Sequence, residues 1–139
     1  MNENIMNENK FKSIKSEYKA TDLILKCRGN SNALLQKFID MQHCVDIIPK
    51  EHSEGFELCV TLKPFKNPNR CIKHYANKIK DFDKISKKEW FSCYQRIFDI
   101  SIYTSKYERY SQFDLDVRSL SLLNELNCKM RITLYPVNI

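Results

Sequence analysis

Two six-residue runs share one pattern: Phe98, Asp99, Ile100, Ser101, Ile102, Tyr103 and, 32 positions on, Met130, Arg131, Ile132, Thr133, Leu134, Tyr135. Each reads apolar, charged, aliphatic, hydroxyl, aliphatic, tyrosine. Strand side chains alternate between two faces, so Phe98, Ile100 and Ile102, with Met130, Ile132 and Leu134, are expected to enter a core. Asp99, Ser101, Tyr103, Arg131, Thr133 and Tyr135 then share the opposite face. A sheet of such strands has one apolar side and one set with tyrosines and opposite charges, which suits contact with a partner.

The segment between the twins holds a tyrosine-rich loop, 104–112, and a helix with Asp114 or Asp116 as its cap and Val117, Leu120, Leu123 and Leu126 inward. One helix between two strands returns the chain to its starting end, so the twins are expected to run parallel in a βαβ unit. Upstream, Thr21 to Cys27 alternates as a strand, and Gly29, Asn30 and Ser31 supply a turn and an N-cap. Leu34, Leu35, Phe38 and Ile39 follow at helical spacing to about Gln42. The runs 45–49 and 56–62 flank a polar connection ending in Gly55 and predict a hairpin. Ile72, Tyr75, Ala76, Ile79 and Phe82 mark one amphipathic helix. A second helix is expected at Ser86, whose spacing to Glu89 fits a capping box with Ile85 and Trp90 as a hydrophobic staple.

The resulting order is β-α-β-β-α-α-β-α-β. Its strands alternate and are not apolar throughout, which predicts an α+β two-layer sandwich: a mixed sheet of four to five strands with helices on one face. Residues 1–19 lack apolar periodicity and are expected to be a flexible arm, leaving 20–139 as a single domain. The order resembles the small bacterial proteins of the domain of unknown function family numbered 4279. The likeness is carried by Pro49 after the first helix and by the closing strand, Leu120-Leu123-Leu126 helix, and strand 130–135. Phe56 stands where that family leads one to expect a tryptophan after the hairpin turn. The resemblance implies no catalytic residue.

With 139 residues, 42% hydrophobic and 29% charged, the chain suits one soluble domain. Nothing approaches a membrane span, and the polar N-terminus lacks the apolar core of a secretory signal, so a cytoplasmic location is expected. Six scattered cysteines in such a setting read as free thiols. Between residues 63 and 96 ten Lys/Arg stand against three Asp/Glu, a net +7 that leaves −1 for the rest. That segment contains Lys73, Lys78, Lys80, Lys84, Lys87 and Lys88, which either steer an acidic surface or phosphate, or coat a solvated helix face.

Catalytic machinery is scarce. Cys71 with His74, and the adjacent His43 and Cys44, are the only thiol–imidazole candidates, for nucleophilic chemistry or for a zinc site, and neither has a recognisable motif. No phosphate-binding glycine motif occurs. The expectation is therefore a non-enzyme without metal or cofactor. Its site is expected at Asp99, Tyr103, Tyr107, Arg109, Tyr110, Arg131 and Tyr135, since tyrosine and arginine dominate protein interfaces. The tyrosines can equally cover the sheet edge or pair across strands, and Asp99 and Arg131 can pair with each other. By type, such a chain looks like an immunity or antidote protein that binds a cognate bacterial toxin domain, an acidic one given the basic charge. The alternative is a nucleic-acid-binding accessory protein using the basic segment.

Overall fold

The computed structural model describes residues 15–50 and 55–137. Its elements are β1 (Glu17–Cys27), α1 (Asn32–Asp40), β2 (Val45–Pro49), β3 (Phe56–Thr61), α2 (Pro68–Lys80), α3 (Lys84–Ser92), β4 (Gln95–Thr104), α4 (Val117–Glu125) and β5 (Lys129–Pro136). The strands form one mixed sheet in the order β2-β3-β1-β4-β5. β1 lies antiparallel to β3 and β4, β2 and β3 form the hairpin, and β4 and β5 run parallel. The twins pair residue for residue, from Phe98 opposite Met130 to Tyr103 opposite Tyr135.

The helices lie on one side of the sheet, as alternation requires. Leu23, Leu25, Leu58, Val60, Phe98 and Ile100 face Leu34, Phe38, Ile72, Tyr75, Ile79 and Trp90 in a continuous core. Burying each of these side chains contributes about 1.5–3 kcal/mol. α1 packs on α3, and α2 on α4. Asn67 caps α2 by accepting the Arg70 N–H at 3.0 Å, with Pro68 in the first turn, where its missing N–H costs nothing.

Local expectations were corrected in several places. β1 begins at Glu17, four residues before the expected Thr21, so residues 17–19 of the expected arm belong to the sheet; residues 1–14 lie outside the described residues. The capping box is not formed. Asp83 caps α3, accepting the Ser86 N–H at 3.2 Å and the Ser86 hydroxyl at 2.7 Å, while Ile85 is exposed and staples nothing. Glu89 turns instead to the neighbouring helix and accepts the Ala33 and Leu34 N–H groups at 3.2 and 3.1 Å. These are the first-turn amides that Ser31, which makes no side-chain cap bond, leaves open.

α4 starts as expected, with Asp116 accepting the Ser119 N–H at 2.7 Å, but its buried face is Ser119, Leu122 and Leu123. Val117 and Leu120 face solvent. The start of α4 is held by α2: Asn69 bonds both the Asp114 carbonyl and the Asp116 N–H, and Lys73 pairs with Asp116 at 2.6 Å. α1 and α4 end in Schellman turns, with Gln42 and Asn127 at φ 65° and 56° and return bonds from His43 and Cys128 to Phe38 and Leu123.

Candidate functional site

β5 is the least covered strand of the sheet. Met130, Ile132 and Leu134 lie on the helix side as alternation demands, yet they are 37, 50 and 59% exposed, which corrects the expectation that they enter the core. The reason is lateral: α4 packs against α2 and does not extend over the last strand. β5 pairs only with β4 among the described residues, so its outer backbone edge is open as well.

On the helix-free side, β4 and β5 present the expected polar row. Tyr103 and Tyr135 meet edge to face, centroids 5.9 Å apart at 71°, a favoured aromatic geometry, and Lys19 sits 5.3 Å above the Tyr103 ring. Asp99 and Arg131 are register partners, but no ion pair joins them among the described residues; Asp99 accepts the Thr133 hydroxyl at 2.7 Å instead. Asp99 also lies opposite Asp22 of β1. Burial, and then the Asp99 carboxylate, raise the Asp22 carboxyl above its ordinary range. Glu57 is held low by its bond to Lys50, at 2.6 Å. Between these charges the face is apolar: Ile24 and Ile97 are register partners there, and Ile97 is fully buried.

The 104–112 loop is anchored to the start of β1. The Ser105 N–H donates to the Ser16 hydroxyl at 2.8 Å, and the Glu108 carboxylate accepts the Ser16 N–H and, at 2.6 Å, the Ser111 hydroxyl. Tyr110 is 76% exposed and, with Phe113, Ile102 and Leu134, lines an open hollow of about 260 Å³. Ile102 and Leu134 belong to the helix side, and so therefore does Tyr110. Tyr107 and Arg109 are exposed in the same loop. The expected site, four sheet-face residues with three from the 104–112 loop, is thus divided: Asp99, Tyr103, Arg131 and Tyr135 lie on the helix-free side, Tyr110 on the other, with β5 between them. Sequence reasoning missed the exposed Met130, Ile132 and Leu134, whose apolar alternation is the same whether or not a helix covers it.

The basic segment is less free than its composition suggests. Lys73 pairs with Asp116 and Lys80 with Glu125, at 2.6 and 2.8 Å, tying α2 to α4. Lys78, Lys84, Lys87 and Lys88 make no ion pair among the described residues. Arg96 is not a surface charge at all: it is 7% exposed and bonds three backbone carbonyls.

As for chemistry, Cys71 is buried and burial pushes its thiol up to about 11, the reverse of an activated nucleophile. His74 stacks with Phe65 and Tyr75, and His43 with Tyr75; burial lowers both imidazoles. No group of three or more His, Cys, Asp or Glu is placed to hold a metal among the described residues. None of their helices is long and apolar enough to cross a membrane.

No protein-family model matches the chain, and no curated protein or solved structure matches it either. The resemblance to family 4279 accordingly rests on the apolar pattern alone.

Proposed function

We propose that this protein is a non-enzymatic binding module of the immunity or antidote kind, which neutralises a bacterial toxin domain by holding it along β5. The observation that carries this reading is the exposure of β5 on both faces and along its outer edge. An exposed strand edge is a template for added backbone pairing, and here it is flanked by apolar anchors on one side and by the Tyr103–Tyr135 pair on the other. Aromatic and arginine side chains in such a setting supply most of an interface's binding energy. Lys129 and Arg131 are the only ionisable side chains of β5 besides Tyr135, which favours an acidic partner surface.

The test is co-expression with a candidate toxin, read as growth rescue and as recovery of a one-to-one complex. Ile132→Lys, and separately Arg131→Ala with Tyr135→Ala, are each expected to weaken binding at least tenfold, about 1.4 kcal/mol. Lys84→Glu with Lys87→Glu and Lys88→Glu is expected to leave binding unchanged. Full binding by both β5 variants overturns the reading. Salt-sensitive retention on RNA or DNA that the lysine reversals abolish would replace it with the nucleic-acid function.

A further inference from the structure

The six cysteines are free thiols, and two of them touch. Cys27, the last residue of β1, and Cys93, which caps the C-terminus of α3, have sulfurs 3.4 Å apart although 66 positions separate them. They are 1% and 4% exposed. Each sulfur also has a backbone acceptor: the Cys93 sulfur lies 3.4 Å from the Glu89 carbonyl, and the Cys27 sulfur 3.7 Å from that of Leu25. Bonding to Cys93, and then to Ser31, lowers the Cys27 thiol against the opposing effect of burial. The same bond holds Cys93 high. Of the two touching sulfurs, Cys27 is therefore the one favoured to ionise first.

We propose that Cys27 and Cys93 form a peroxide-reactive dithiol that closes reversibly to a disulfide. The Cys27 thiolate attacks one oxygen of hydrogen peroxide and the O–O bond breaks. Hydroxide leaves and takes up a proton to become water, and Cys27 becomes a sulfenic acid. Cys93 loses its proton and attacks the Cys27 sulfur, forming the S–S bond as the S–O bond breaks and a second water departs. The thiols together lose two electrons and two protons, and one peroxide becomes two waters. Hydrogen peroxide, close to water in size, is the oxidant class proposed because the pair is only 1% and 4% exposed. The sulfurs stand within about 1.4 Å of the ~2.05 Å bonding distance. The new bond would fasten the end of β1 to the end of α3, the helix whose Glu89 caps α1.

The experiment is intact-mass and peptide mapping of the full chain after graded hydrogen peroxide, then after dithiothreitol. Expected are a loss of about 2 Da, from two hydrogens, a Cys27–Cys93 cross-linked peptide, and a rise in melting temperature, all reversed by the reductant. Cys27→Ser and Cys93→Ser should each prevent the mass loss, while Cys44→Ser should not. Oxygen adducts on Cys27 without the cross-link, a disulfide using any other cysteine, or an unreacted pair overturns the proposal. Each is read on the unsubstituted chain, so a variant that fails to fold does not obscure the result.

Discussion

Arg96→Met is the sharpest test of how the layers are joined. Arg96 leaves β4 on the helix side, opposite Leu25, and its guanidinium spans the ends of two helices. Nε donates to the Asn127 carbonyl at 3.0 Å, and Nη1 to the carbonyls of Trp90, at 3.1 Å, and Cys93. Nearby, the Trp90 indole N–H donates to the Leu126 carbonyl at 3.0 Å, so the C-termini of α3 and α4 are stitched together here. Methionine keeps the apolar stem and removes all three bonds. The Trp90 carbonyl retains the Cys93 N–H at 3.3 Å, whereas those of Cys93 and Asn127 lose their donor. At about 1–3 kcal/mol for each orphaned group, two such groups amount to about 2–6 kcal/mol. Relief of the guanidinium's desolvation offsets part of this. A net loss of about 3 kcal/mol is expected, which at an m-value of about 2 kcal/mol/M lowers the urea midpoint by roughly 1.5 M. Arg96→Lys should recover only part of it, because one ammonium lacks the fixed fork that reaches both helix ends. A hollow of about 390 Å³ lined by Tyr94, Gln95, Asn127 and Lys129 adjoins the site. If water from that hollow satisfies the carbonyls, Arg96→Met unfolds within about 0.3 M of the parent, a small shift on the m-value scale used here, and the stitching argument fails.

Glu89→Ala should cost about 2 kcal/mol, two cap-type bonds at about 1 kcal/mol each, and Glu89→Gln about half; hydrogen exchange should show the Ala33 and Leu34 amides losing protection, and unchanged protection there would refute the cross-helix cap. Gln42→Gly should gain about 0.5–1 kcal/mol by relieving a left-handed backbone, about 2–4 °C in melting temperature, while Gln42→Ala stays neutral. Asp22→Asn should raise the melting temperature near pH 7. Because the fold raises the Asp22 carboxyl, its stabilising contribution is full below the unfolded value of about 3.9 and is lost as pH rises through the folded one. The gain from Asn should therefore vanish by about pH 3, and a gain that persists there would rule out the cost of ionising Asp22, from burial first and the Asp99 carboxylate second, as its cause.

Much of this architecture was legible in the chain because it is local. Period-two alternation marked the strands and 3.6-residue spacing the helices, and the 32-residue offset between 98–103 and 130–135 anticipated a parallel pair. The burial of Ile72, Tyr75, Ala76, Ile79 and Phe82 followed from the same spacing. What sequence could not supply were relations between elements. Glu89 has the right sequence spacing from Ser86 for a capping box, yet it bonds the first-turn amides of α1 while Asp83 serves α3. Lys73 and Lys80 count as positive charge in any composition, but two carboxylates on or beside α4 hold them. Arg96 belongs to a basic run by position and to the interior by packing.

The twin strands show where that boundary falls. By itself the sequence determined that two six-residue runs would be strands sorting their side chains to opposite faces, because alternation is a property of the extended backbone; that they are neighbours paired in register came from the fold. Only the tertiary structure decided that one twin would be buried on its apolar side and the other left open. Phe98, Ile100 and Ile102 sit beneath the helices, while Met130, Ile132 and Leu134, with the same pattern, do not. Coverage depends on where a helix comes to rest, and α4 packs against α2 with Leu122 and Leu123 in the core, its two ends fastened by Asn69, Lys73 and Lys80.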